Sequence, residues 1–467
     1  MVESANGHPI LHSELLEIAR KNEQKALDLL RQLVRFPSVA NRDKQSILEC
    51  ANLIEEQLTS RGFKSTQFPT EGSPVVFGEK SVGARKTLLF YQHYDVQPED
   101  PIDAWESSPW EVSVREGRAY GRGAFDNKGP LVANLLGMDL IERALGEIPV
   151  NVKFVVEGEE EAGSAHLPSF ASANRDFLKA DGCVMEIATA APGVRSEIQC
   201  GAKGTVYFEL VAGGTPRFPG RDVHSGYAGG VPNAAWRLVW ALSSLKDEKE
   251  NILIDGVNEL VEPPTEEDLR ALSDFGEDLT DMLRGDYGLG STLLGRSGLE
   301  LATAVFMKPS ITISGVTTGY QGPGGKTIVP STASAKVDFR LVPKLTAQKA
   351  EDLFRAHLKK KGFDDIQVTK AESSYDPART PVDHPFVRMI HNMSKQVATP
   401  AHARLAPISF GSGPNYLFVP HAPCCLAVSQ TELTGTNFHA PNENIPLSSM
   451  TNTMAFAAAL AERLALA

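Results

Sequence analysis

The stretch KTLLFYQHYDV, residues 86–96, decides how the chain is read, because a short apolar run there gives way abruptly to polar residues. It reads as a strand whose C-terminal end carries His93 and Asp95. Downstream, the glycine-rich turn GRGAFDNKGP (121–130) leads into a helical pattern, LVANLLGMDLIERALG (131–146), and then a second buried strand, VNVKFVVEG (150–158). Strand and helix in alternation predict an α/β layered sheet. Ligands of open sheets gather beyond the carboxyl ends of the strands, and the unusual polar residues of this chain fall there.

Working outward, SELLEIARKNEQKALDLLRQLVR (13–35) and ILECANLIEEQLTSRGF (47–63) space apolar residues as helices do. The texture changes near Gly201. TVYFELVAG (205–213) and SAKVDFRLV (334–342) alternate as antiparallel strands with one exposed face, and the helix TAQKAEDLFRAHLKKKG (346–362) follows. An acidic, helix-prone stretch, 245–300, lies between them. The expected organisation is a discontinuous unit, 1–200 with 376–467, interrupted by an inserted domain, 201–375.

Composition narrows the function. The 467 residues are too many for one ordinary core, and 42% apolar with 22% charged residues is the balance of a globular chain. A formal charge of −12 disfavours nucleic acid and anionic membrane as partners and leaves small molecules. No apolar run reaches the length of a membrane span and MVESANGHPI lacks the order of a secretory signal, so a cytoplasmic location is expected. The five cysteines form no CxxC pair and read as reduced core residues.

The polar groups at strand ends are individually ordinary. His93, two residues before Asp95, suits a metal ligand oriented by a carboxylate, or a surface histidine. Asp126 suits a ligand or a turn. VVEGEEEAG (155–163) is different, because carboxylates crowded at the end of a buried strand raise one another's pKa unless a cation neutralises them. There one glutamate can ligate while an uncoordinated neighbour takes a proton from water, and Glu159 reads as the solvated member. With Glu186 after GCVMEI and His439 in TNFHAPNEN, the set His, Asp, Glu, Glu, His matches what two divalent ions about 3.5–4 Å apart require. Mixed nitrogen and oxygen donors favour two Zn²⁺, with Mn²⁺ or Co²⁺ as alternatives.

YQHYDVQP, WESSPWE, YGRGAFDNKGP, EGEEEAGS, DVHSGYAGGVPN, FRLVP and GTNFHAPNE, in this order, resemble the co-catalytic di-zinc metallopeptidases of family 20, which include carnosinase, cytosolic non-specific dipeptidase, carboxypeptidase G and aminoacylase. The resemblance runs from about residue 25 to the C-terminus. It implies a zinc-peptidase α/β sandwich with an inserted ferredoxin-like α+β domain that acts as lid and homodimer contact. It implies one zinc on His93 and Glu186, the other on Glu161 and His439, with Asp126 bridging and followed by a cis peptide bond. Asp95 is implied to orient His93, Glu160 to be the general base, and His224 to reach the active site of the neighbouring subunit. Arg340 and the loop Gly411, Ser412 and Gly413 resemble the receptor for a substrate carboxylate.

Four features depart from the family pattern, one being Asn127, which replaces the commoner aspartate after Asp126. Glu186 stands where dipeptidases usually carry aspartate, while carboxypeptidase G and aminoacylase carry glutamate. AGGTPRFPGRDVHSG is longer than the usual hairpin before the histidine, and Phe125 stands where a small or hydroxyl residue is common beside Asp126. The expected activity is hydrolysis of a dipeptide or similar small amide with a free carboxylate. An N-acyl-amino-acid amidohydrolase or carboxypeptidase is the alternative within the family. A non-catalytic dimeric binding protein and a two-metal phosphoesterase are the alternatives outside it.

Overall fold

In the computed structural model, which describes residues 10, 12–188, 196–285, 287–397, 403–428 and 433–467, two sheets organise the chain. The larger has eight strands in the order Lys64–Phe68, Val75–Lys80, Asn151–Glu157, Thr87–His93, Gly182–Ala188, Cys424–Val428, Ser196–Gln199 and Ala403–Ala406. Its central four, from Asn151–Glu157 to Cys424–Val428, are mutually parallel, so their carboxyl ends share one edge. There His93 stands opposite Glu157, and Tyr91 opposite Met185.

Both faces of these strands are covered, which explains apolar runs without alternation. Leu88, Phe90, Val152, Phe154 and Val156 enter one core, beneath helices that include Lys128–Leu145 and Leu447–Leu466. Leu89, Tyr91 and Val155 enter the other, with Leu167, Phe170 and Phe418. The helical pattern over 13–35 is two helices, His12–Lys21 and Glu23–Val34, separated at Asn22, whose side-chain amide donates to the carbonyl of Ile18. A short amide that competes for backbone groups favours such a break.

The helix Lys128–Leu145 begins directly after the Asp126–Asn127 bond and therefore carries the Asp126 turn. It lies close against the alanine-rich C-terminal helix: a Cβ at Gly137 would stand 2.8 Å from both the Ala457 Cβ and the Met454 carbonyl. Its end is marked by Gly146 at φ +82°, a left-handed C-terminal glycine.

The second sheet is antiparallel, in the order Ser310–Thr318, Thr332–Leu341, Gly204–Gly213, Gln367–Tyr375. Helices Ala234–Ser243 and Ala347–Lys360 pack on one face of it, giving the ferredoxin-like βαββαβ arrangement. The acidic stretch forms helices Glu266–Ser273, Gly276–Gly285 and Gly298–Met307. Gly201–Ala202 pairs with Ala378–Arg379, so the segments leading to and from this sheet run side by side. All five cysteines are buried and unpaired, and among the described residues no helix is long and apolar enough to cross a membrane.

Gly137→Leu should lower stability by about 1–3 kcal/mol through overpacking against the C-terminal helix, outweighing a helix-propensity gain of under about 1 kcal/mol. The check is the urea midpoint of the purified variant beside the parent.

Candidate metal centre

At the shared edge the backbone brings four of the five expected ligands together. The two oxygens of Asp126 face different imidazoles: Oδ1 lies 2.9 Å from His93 Nε2, and Oδ2 3.1 Å from His439 Nε2. His439 Nε2 is also 3.1 Å from Glu161 Oε2, and ligand atoms of Asp126, Glu161 and His439 all lie within 4.8 Å of one another. The Asp126–Asn127 peptide bond is cis. Glu186 and Glu160 stand beside this group and interact with it through charge.

The electrostatics show how crowded the site is. Burial, and then the charge of Glu186, push the Glu160 carboxyl well above its ordinary range. Burial likewise pushes Glu186 up to about 7, against the opposing effect of His93. Asp126, although burial acts against it, is held well below the usual carboxylate range by His439 and His93. The reciprocal effect pushes His439 up to about 10. Two imidazoles thus face Asp126, Glu160, Glu161 and Glu186, a donor set of nitrogen and carboxylate oxygen with a deficit of positive charge, which fits a pair of divalent ions.

Asp95 does more than orient a ring. His93 Nδ1 lies 3.1 Å from the Asp95 carbonyl and 3.5 Å from its carboxylate. The same carboxylate accepts the N–H groups of Glu160 at 3.1 Å and Glu161 at 2.9 Å. One buried aspartate therefore fixes both the histidine and the glutamate turn. Gln97 Nε2 donates to Glu161 Oε2 at 2.9 Å, which orients that carboxylate further.

The reading of Glu159 as solvated is corrected. Its carboxylate is buried and accepts from the Ser73 N–H at 3.1 Å and pairs with His166 Nδ1 at 2.7 Å. It pins the glutamate turn to the loop before Val75–Lys80. Glu157 is buried too, accepting from the Tyr91 hydroxyl and Ser164 Oγ; burial pushes it up to about 8.

Glu443 and Arg122 are the residues that sequence reasoning passed over. Glu443 accepts the N–H groups of Phe125 and Asp126, both at 2.9 Å, and of Gly123 at 3.0 Å, and Arg122 donates to it at 2.8 Å. Both sit in motifs quoted for other residues, and their pairing spans 321 positions, so only the fold reveals it. Phe125 packs on Phe438, next to His439, with ring centres 6.0 Å apart.

Glu186 and His439 have φ of +49° and +60°, left-handed conformations that cost such side chains about 1–3 kcal/mol each and cluster at functional positions.

The family model described as Peptidase family M20/M25/M40 matches residues 89–463. The chain belongs to that family. It is accordingly a metallopeptidase. The M20 chain is 31% identical over 332 residues to the Beta-Ala-His dipeptidase of Rattus norvegicus, covering 68% of itself and 66%, just under two thirds, of that protein. It is 28% identical over 367 residues to the Cys-Gly metallodipeptidase DUG1 of Candida albicans, covering 74% of each. Among solved structures, an M20 family metallo-carboxypeptidase from Sulfolobus solfataricus superposes with a TM-score of 0.83 at 33% identity, over 95% of this chain and 99% of that one.

The substrate-side residues of this M20 chain fall into two places. Arg340 donates to Ser412 Oγ at 3.1 Å and to Asp338 at 3.0 Å, so the strand Thr332–Leu341 and the loop Gly411–Gly413 meet. In register across the antiparallel sheet, Tyr375, Thr205 and Arg340 form one row, putting Arg340 about 10 Å from Tyr375. A Cβ at Gly163, which closes the glutamate turn, would stand 3.9 Å from the Tyr375 hydroxyl, so this row reaches the carboxylate cluster. His224 is exposed, its Nδ1 accepts from the Gly226 N–H at 3.0 Å, and among the described residues no hydrogen bond or ion pair joins it to the cluster.

Glu443→Ala should cost about 3–5 kcal/mol, because it leaves the buried Arg122 guanidinium unpaired. Chemical denaturation measures that loss. Metal content per chain should fall with it, as the Asp126 turn loses its anchor.

Proposed function

We propose that this metallopeptidase cleaves a dipeptide, or a similar small amide with a free carboxylate, at a two-metal centre. The observation that carries the proposal is the Asp126 carboxylate, whose two oxygens face two different imidazoles. His93 and Glu186 would hold one ion, Glu161 and His439 the other, with Asp126 common to both; Zn²⁺ suits these donors first, and Mn²⁺ or Co²⁺ next. When bound, such ions supply Lewis acidity that makes a captured water acidic.

The residues of the chain perform the rest. Glu160, held by its own N–H to Asp95, is the carboxylate beside the expected ligands that takes the proton of the attacking water. It returns that proton to the leaving nitrogen. Arg340 and Ser412 bind the substrate's free carboxylate, a task suited to a planar guanidinium. Two extended residues span about 7 Å, which fits between the cluster and a clamp one strand beyond Thr205. The relatives named as dipeptidases support this substrate class. A carboxypeptidase is the second reading, favoured by Glu186 and by the likeness to the Sulfolobus enzyme.

The working unit is a homodimer formed through the segment 201–375. The strand Ser310–Thr318 (SITISGVTT) is a sheet edge with no charge and no proline, and such edges recruit a partner strand. Ile313 and Val316 are exposed on it, and on the helix Ala234–Ser243 Trp236 and Trp240 stack in the open, 5.9 Å apart. A second copy paired there covers this surface and supplies an exposed histidine, His224, to its neighbour's site, where a donor stabilises the tetrahedral charge.

Glu160→Gln should retain its metal and lose about 10²–10⁴-fold in kcat, while Glu161→Ala should lose metal as well. Elemental analysis beside turnover of Ala-Ala, N-acetyl-alanine and a longer peptide checks this; parent-like turnover in Glu160→Gln refutes the mechanism, and cleavage of the acylated compound alone refutes the dipeptidase. Val316→Lys should convert the dimer to monomer by light scattering, with loss of activity that mixing with His224→Ala does not restore.

A further inference from the structure

The acidic stretch excluded from the mechanism so far builds a pocket. Its segments 246–264 and 293–311 enclose a cavity of about 790 Å³ that ends at Arg340 and Phe410. That volume lies within the roughly 300–1,000 Å³ of small-molecule sites. Its position follows from sheet register. Ser310, which lines it, pairs with Arg340 on the side away from Thr205 and Tyr375. The row therefore runs from the carboxylate cluster through Tyr375, Thr205 and Arg340 into the pocket at Ser310, and the pocket lies beyond the clamp.

The charge of the lining is opposite to that of the chain. Lys203, Lys246, Lys249, Arg296, Lys308 and Arg340 face two carboxylates, Glu250 and Glu262, in a protein of net charge −12. Those two are already engaged, Glu250 by Lys246 and Glu262 by Lys344 from outside the pocket. Lys249 and Lys308 have no ion-pair partner among the described residues. Lys203, also in the lining, is buried and donates to the carbonyls of Val305 and Lys308. Phe410, Val305 and Met307 supply apolar wall for a short aliphatic stem.

We propose that this pocket receives the side chain of the substrate's C-terminal residue and selects an acidic one, so that the amino acid released is a dicarboxylate. The inference rests on the dipeptidase reading: Arg340 and Ser412 take the α-carboxylate, and the pocket cations take the carboxylate of the side chain. Glutamate and glutamine differ at that position in charge and scarcely in shape, so the pair isolates the electrostatic contribution.

The test is kcat/KM for Ala-Glu and Ala-Gln with the metal-loaded enzyme, together with Lys308→Glu and Lys249→Glu. The ratio of the two substrates is read within each enzyme, so a general loss of activity cancels. The expected result is a preference of tenfold or more for Ala-Glu, falling at least threefold in each variant and shrinking as salt is raised. Equal hydrolysis of both substrates, or an unchanged ratio in both variants, overturns the pocket assignment and leaves the dipeptidase standing. If neither dipeptide is cleaved while N-acetyl-glutamate or a longer peptide is, the dipeptidase reading falls and the inference with it.

Discussion

The buried carboxylate of Glu443 holds the site together from behind. It accepts the backbone N–H groups of Gly123, Phe125 and Asp126 and the guanidinium of Arg122, and it lies four residues after His439 in the same turn. One side chain thus ties the loop that presents Asp126 to the loop that presents His439. Such a pair contributes little net stability, since removing two charges from water offsets most of their attraction. What it provides is registration: the Asp126 carboxylate that faces His439 is placed through the backbone N–H that Asp126 donates to Glu443. Asp95 does the same on the other side, anchoring His93 and the N–H groups of Glu160 and Glu161 with one carboxylate.

These two anchors explain why so much negative charge collects at an apolar edge. Of the acidic residues between 157 and 161, Glu159 has His166 and Glu157 has Tyr91 and Ser164 as partners. Glu160 and Glu161 instead face the Asp126 group, Glu161 through His439 and Glu160 as the acid that burial and neighbouring charge push upward. The run is therefore two structural acids followed by two that face the centre. Its local backbone is a short 3₁₀ turn over Glu160–Ala162.

The parts of this organisation that were legible in the sequence are those set by local pattern. Two-sided strands such as Thr87–His93 and Asn151–Glu157 announce themselves as unbroken apolar runs, and the alternating strands Gly204–Gly213 and Thr332–Leu341 as one-sided ones. The expected ligands His93, Asp126, Glu161 and His439 stand at ends and turns of such elements, and they converge because parallel strands share an edge. The roles of Glu159, Glu443 and Arg122 were hidden for the opposite reason. A charged residue in a turn looks solvated until the distant segment that buries it is known; for Glu443 and Arg122 that segment is 321 positions away. The break at Asn22 was missed because one polar residue hardly disturbs a 3.6-residue period.

The sheet of the inserted segment adds a constraint of another kind. Arg340 is separated from Tyr375 by one strand, and from the pocket by none, through backbone pairing rather than through flexible side chains. A slip of one residue in the pairing of Gly204–Gly213 with Thr332–Leu341 would turn Arg340 to the opposite face, so the spacing from centre to clamp is either kept or lost entirely. Register of this kind is defended by the core beneath it, where Val206, Phe208, Val337 and Phe339 are buried against the two helices. With Arg340 in the proposed role of clamp, the length of substrate accepted would follow from hydrophobic packing, and the chemistry at the bond from the carboxylate edge. Substitutions that retune one need not disturb the other, which is how a single fold can combine one hydrolytic centre with different demands on what lies beyond the cleaved bond.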